Sequence, residues 1–194
     1  MINFQNKGVL DLRGTTIFGL SAKTMDSPIG YFGTGLKYAF ATLLRNKCTV
    51  SIYLGTQKYQ LATQVDVLRD TEYEQVVMYK GGGGEGLELP FTTELGKNWE
   101  LWMAYRELYA NTIDEPEAVV SDERIEPRDE YTTIQVEGMN FDRVYKEEHD
   151  TIFLTGKPLY KLKNLEVHNA GKMTEWVYYR GMRVLHLRKP TLYV

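Results

Sequence analysis

The sequence predicts an α+β fold, a two-layer sandwich in which one mixed or antiparallel sheet is covered by helices on one face. Three observations carry that expectation. A helix-period pattern near residue 40 is followed by three consecutive strand-like runs. A second, longer helix pattern lies near residue 105, and the chain then reverts to short β-rich runs. Fourteen tyrosines point to broad, half-wetted sheet surfaces rather than a helical bundle.

Each element has its own local reason. In GLKYAFATLLRN, Leu36, Phe40, Leu43 and Leu44 share one helix face, and Arg45 and Lys47 sit at its C-terminal end. CTVSIYLG, YQLATQVDVL and EYEQVVMYKG are rich in β-branched and aromatic residues and are separated by turn signals, the pattern of an antiparallel meander. GGGGEG at 81–86 costs much entropy to order and reads as a flexible join. LELPFTTEL is extended. NWELWMAYRELYANTIDE is a strong helix with an apolar stripe of Leu101, Trp102, Tyr105, Leu108, Tyr109 and Ile113, capped by Asn98 and stopped by Pro116. EPEAVVSDERIEPRDE is polar and loop-like, and YTTIQVEG is a strand. DTIFLTG, KLKNLEVHN, TEWVYYRG and MRVLHL read as short strands, and no internal repeat is visible.

Composition narrows the function classes. The chain of 194 residues is long enough to bury a proper core, with 43% hydrophobic and 25% charged residues. A net charge of −3 gives no global bias towards nucleic acid. The single cysteine, Cys48, cannot form an internal disulfide, and its apolar neighbours predict a buried, inert thiol. No apolar stretch approaches the roughly 20 residues of a membrane span, and MINFQNKG lacks a signal-peptide layout, so a cytoplasmic location without membrane contact is expected.

Two stretches carry chemistry. In IGYFGTGLKYAF, Gly30, Gly33 and Gly35 precede a helix whose first N–H groups would face the turn, an arrangement that suits an anion. A glycine turn that merely starts a buried helix explains the same residues. Gly33 and Gly35 are expected to line the turn, where a Cβ would intrude on a ligand or force a positive φ, whereas Gly30 lies farther out. In the second helix, Glu107, Asn111 and Asp114 at i, i+4 and i+7 share one face. An amide carbonyl there can hold Mg²⁺, and a carboxylate one turn earlier can orient or deprotonate water. A solvated helix face would look the same.

Together these stretches carry a family resemblance. ELYANTID (107–114) resembles the N box, E-x-x-x-N-x-x-D, of the GHKL ATPases, which include DNA gyrase B subunits, histidine kinases and MutL. FGLSAKTMDSPIGYFGTGLK (18–37) is similar to the F-G-x-S-x-K … I-G-x-(F/Y)-G-x-G-L-K lid and glycine box of Microrchidia-type and topoisomerase VI-type members. The order is reversed relative to the family, which a circular permutation joined through GGGGEG would produce. The resemblance thus implies a permuted Bergerat-like domain over 1–194. Residues 1–80 would hold the lid, glycine box and meander, 81–86 the join, 87–140 the N-box helix and strand, and 141–194 a strand-rich elaboration. The family's D-x-G-x-G box is missing. Glu137, followed by Gly138 at the end of the strand after the N box, is the positional candidate for its adenine-reading acid, and Asp11 is a second.

The resemblance implies a nucleotide ligand, ATP with Mg²⁺, and slow hydrolysis. The backbone from Gly30 through Gly33, Thr34 and Gly35 to Leu36 would cradle phosphates that Lys23 or Lys37 neutralises. Asn111 would ligate the metal beside Asp114, Glu137 would read the base, and Glu107 would act on water. The glycine box and the Glu107 face should therefore share one pocket. The alternative is a non-catalytic module that uses a degenerate nucleotide fold to grip a macromolecule, as a homodimer or with a protein partner. Arg180, Arg183, Arg188 and Lys189, interleaved with Tyr178, Tyr179 and His186, would suit nucleic acid, although a solvated edge hairpin explains them as well.

Overall fold

The computed structural model describes residues 1–13, 34–154, 156–163 and 165–193. The chain divides into two compact units, Met1–Tyr145 and Lys146–Val194. The first contains strands β1 (Ile2–Lys7), β2 (Thr49–Leu54), β3 (Gln57–Leu68), β4 (Thr71–Lys80), β5 (Leu87–Thr92), β6 (Val119–Ser121) and β7 (Tyr131–Glu137). Its helices are α1 (Gly35–Arg45), α2 (Leu101–Ile113) and α3 (Met139–Arg143). The strands form one seven-stranded sheet in the order β5-β4-β3-β2-β7-β1-β6, and every neighbouring pair is antiparallel. The α+β sandwich read from the sequence is the fold of this unit.

Strand alternation assigns the two faces. Ile2, Val136 and Val50 lie side by side across three strands, as do Phe4, Ile134 and Ile52, and all six are buried. They meet Ala39, Phe40 and Leu43 of α1, Tyr105 and Leu108 of α2, and Phe141 of α3 in one core. Phe4, Tyr105 and Phe141 pack as three mutually tilted rings, with centroids 5.9–6.3 Å apart. Each such side chain contributes about 1.5–3 kcal/mol by leaving water.

On the opposite face, the part formed by β1 and β7 is polar and also covered. Asn3 and Gln135 are cross-strand partners, as are Gln5 and Thr133. The segment after β6 lies over them: Asn3 Nδ2 donates to the Glu123 carbonyl (2.9 Å), Gln5 Nε2 to the Glu126 carbonyl (3.1 Å) and Gln135 Nε2 to Asn3 Oδ1 (2.9 Å). Buried amides are tolerated here because loop carbonyls that would otherwise lose water are satisfied by them. β1 is therefore buried on both faces.

Several sequence expectations change. Asn98 does not cap α2; the helix starts after Glu100, whose backbone is extended and whose side chain makes no cap bond. The stripe holds through Trp102, Tyr105 and Leu108, but Ile113 is exposed at the helix end. GGGGEG, read as a flexible join, lies between β4 and β5, which pair with each other directly as a hairpin. DTIFLTG contains a helical turn rather than a strand at its start.

The chain leaves the first unit through a π-helical turn, Val144–Glu148. The second unit contains α4 (His149–Ile152), the short hairpin β8 (Tyr160–Leu162) and β9 (Leu165–Val167), and the long, bulged hairpin β10 (Asn169–Tyr179) and β11 (Met182–Tyr193). Arg183 is 3% exposed, with its guanidinium 4.3 Å from the Trp176 ring centroid and 3.5 Å from Glu148 Oε2. This arginine of the basic stretch is thus turned into its own unit, not presented as part of a surface patch. No described helix is long and apolar enough to cross a membrane.

Candidate functional site

Gly35 and Glu107 are 72 positions apart in sequence and touch in space. A Cβ built on Gly35 would stand 2.0 Å from Glu107 Oε1 and 2.7 Å from Oε2. No side chain other than hydrogen leaves room for the carboxylate in this position. Gly35 is the first residue of α1 and its φ is not positive, so the reason for glycine is this close approach and not a left-handed turn. Thr34 precedes it as the N-cap residue without a side-chain cap bond, and its carbonyl accepts the Lys37 N–H at 3.0 Å. The first N–H groups of α1 and the positive end of its dipole thus lie where the Glu107 carboxylate is held.

Asn111, one turn along α2, fixes that carboxylate. Its Nδ2 donates to Glu107 Oε1 at 2.8 Å and to the Glu107 carbonyl at 2.9 Å. The amide nitrogen is used within the helix, and the Oδ1 carbonyl remains as the hard oxygen donor of the pair. Asn111 also lines a pocket of about 220 Å³. Leu36 of α1, Leu108 of α2, Glu115 just beyond it, residues 7–10 after β1, and Thr132 and Ile134 of β7 complete most of the wall. Below the 300–1,000 Å³ of drug-sized sites, the volume suits one ring system rather than a whole cofactor. The pocket wall is fixed by Thr132, whose hydroxyl donates to the Gly8 carbonyl (2.7 Å) and accepts from the Leu10 N–H (2.8 Å). Behind it, Lys7 Nζ pairs with Glu117 at 3.0 Å, and Tyr131 donates to the same carboxylate. That pairing holds the Lys7 ammonium protonated to higher pH and the Glu117 carboxyl, through Tyr131 first, to lower pH.

Two placements run against local helix preference. Lys37 lies in the first turn of α1, where the dipole disfavours a cation, and it is 1% exposed. Desolvation lowers its pKa from the ordinary lysine value. Asp114 is the C-cap of α2 and Glu115 follows it, where the dipole disfavours carboxylates, and no basic residue lies in that last turn. Such violations concentrate where function outweighs local stability.

The remaining predicted residues divide cleanly. Lys23, Gly30 and Gly33 lie outside the described residues. Thr34, Gly35, Leu36, Glu107 and Asn111 come together at the start of α1, and Lys37 and Asp114 follow on the same two elements. Glu137 does not join them. β7 lines the pocket with Thr132 and Ile134 and then runs away from it, so Glu137 is three residues beyond Ile134, about 10 Å at strand rise. It ends beside Thr49, near the C-terminal end of α1, where Gly138 packs on Cys48. Chain order thus points to the end of β7 that lies away from the pocket. Asp11 follows the pocket residue Leu10 but is exposed and bound by Arg13, whose hydrogen bonds hold its carboxyl down to about 2.

The carboxylate that lines the pocket is Glu115, which the sequence pattern gave no reason to single out from Asp114. Thr132 and residues 7–10 were equally silent, because only tertiary pairing of β1 with β7 brings them to α2. Among the described residues no group of three His, Cys, Asp or Glu could hold a metal on its own. A Mg²⁺ bound through phosphates requires only one or two protein oxygens, which the Asn111 carbonyl fits. In comparisons with known proteins, no family model, curated protein or solved structure matches the chain.

Proposed function

We propose that this chain binds ATP together with Mg²⁺ and hydrolyses it slowly, as a permuted GHKL-type domain. The observation that carries the reading is the contact between Gly35 and Glu107, buttressed by Asn111, which also lines the pocket. In this reading the first-turn N–H groups of α1 take phosphate oxygens, and the buried Lys37 offsets their charge. Asn111 Oδ1 supplies one oxygen to the metal. Glu107, held by the Asn111 amide, orients the attacking water and takes its proton. The pocket beyond Leu36 takes the base, with Glu115 and Thr132 as the groups able to read its edge. Mg²⁺ supplies charge neutralisation along the phosphates when bound.

Two substitutions test this. Glu107→Ala should slow hydrolysis by about 100-fold or more while leaving Mg²⁺–ATP affinity within about threefold. Asn111→Ala should weaken Mg²⁺-dependent binding itself by about tenfold. Turnover is read from released phosphate and affinity from titration calorimetry on the same preparations. Equal losses of affinity in both variants would reduce Glu107 and Asn111 to a structural helix face.

A further inference from the structure

A second depression, of about 550 Å³, lies between α1 and the segment that leads into α2. It shares no lining residue with the pocket at Asn111. Its wall is Tyr38 of α1 with Glu94, Gly96, Lys97, Asn98 and Trp99. The Tyr38 and Trp99 rings pack 5.1 Å apart at 38°. Gly96 makes that packing possible: its φ is +62°, and a Cβ there would stand 2.5 Å from Tyr38 Cδ1 and 3.4 Å from Trp99 Cγ.

The loop that carries these residues is held rigidly. The Arg45 guanidinium, at the end of α1, donates to the carbonyls of Leu95 (3.3 Å), Gly96 (2.9 Å) and Trp99 (3.3 Å), and to that of Thr93. The Trp99 N–H closes the turn on the Gly96 carbonyl at 2.7 Å. An aromatic pair on a clamped loop binds without first ordering its own backbone, which preserves affinity. Around it, the exposed side chains of Glu94, Lys97 and Asn98 make no hydrogen bond or ion pair among the described residues.

From this geometry we propose that the depression is a binding site for a short, uncharged oligosaccharide. The volume falls within the 300–1,000 Å³ of small-molecule sites. The half-buried Tyr38 and Trp99 rings offer apolar surface for the C–H face of a pyranose ring. Hydroxyl groups both donate and accept, and the wall offers both: Lys97 donates, Glu94 accepts and Asn98 does each. Charge decides against a polyanion, because Glu94 and Lys97 cancel at the site and the chain carries −3 overall.

The test uses the full chain and the indole of Trp99 as reporter, with Trp99→Phe separating its emission from that of the other two tryptophans. Cellohexaose, maltohexaose, chitohexaose and a thymidine hexanucleotide are titrated in turn. At least one saccharide should change Trp99 emission saturably, with a Kd below about 10 mM, and bind more tightly than the oligonucleotide. By calorimetry, Trp99→Ala should weaken that binding by about tenfold or more. The double variant Lys97→Ala/Asn98→Ala, altered only at exposed positions, should weaken it with an unchanged melting temperature, and keeps the test decisive if Trp99→Ala folds poorly. No saturable response to any saccharide, undiminished binding in the double variant, or tighter binding of the oligonucleotide would each overturn the proposal.

Discussion

A hydrogen atom at position 35, in place of a methyl group, is what admits the Glu107 carboxylate to the start of α1. Gly35→Ala therefore pushes aside the flexible end of Glu107 rather than the backbone, and alanine is the better helix former by about 1 kcal/mol. The melting temperature should stay level or rise slightly, while the methyl group itself, standing among the first-turn N–H groups of α1, lowers Mg²⁺–ATP affinity by about tenfold or more. A destabilised variant with unchanged affinity would mean that the glycine serves folding alone. Cys48 offers a second check at this scale. Burial, then the nearby Asp142 charge, pushes its thiol from 9.0 up to about 11. At pH 8 only about one molecule in a thousand carries the thiolate, so alkylation should be slow until the protein unfolds. The unfolded thiol ionises first as pH rises, so this group's contribution to stability is full below about 9 and is lost by about 11. Rapid labelling of the native protein at pH 8 would contradict the burial.

At the scale of elements, Arg45 is the tie between α1 and the segment entering α2. Arg45→Ala would leave four carbonyls without their shared donor, a loss on the order of 3 kcal/mol, measurable by denaturant unfolding. A change below about 0.5 kcal/mol would show that water replaces the guanidinium at no cost. The elements differ in how far they were legible. α1, α2 and the meander announce themselves by long, single-period runs, in the helices through residues such as Phe40, Leu43, Tyr105 and Leu108 that face one core. β1 was not legible. Its alternating Ile2, Asn3, Phe4 and Gln5 look half-solvated, yet the amides are buried beneath the segment after β6, a tertiary partner that no local pattern reveals. The 139–152 region mixes α- and π-turns of five residues or fewer, too short for a period to emerge. Half of the candidate site was readable for the same reason. Glu107 and Asn111 are four apart on one helix, whereas Glu115, Thr132 and residues 7–10 meet only through strand pairing.

On the scale of the whole molecule, every residue placed in the candidate nucleotide site belongs to the unit Met1–Tyr145, and so does the complete seven-stranded sheet. A chain ending after Tyr145 should accordingly unfold cooperatively and bind Mg²⁺–ATP within about threefold of the full chain. Non-cooperative melting would show that residues 146–194 are needed to complete the fold. The central claim, that the start of α1 and the face of Glu107 and Asn111 exist for a metal-bound nucleotide, is tested most directly by thermal denaturation of the full chain with ATP, Mg²⁺, or both. With both present at a hundredfold over Kd, stability should rise by about 2.7 kcal/mol, and Asn111→Ala at the same concentrations should lose about half of that rise. Mg²⁺ alone should add little. A melting temperature that ATP and Mg²⁺ together leave unmoved would contradict the account.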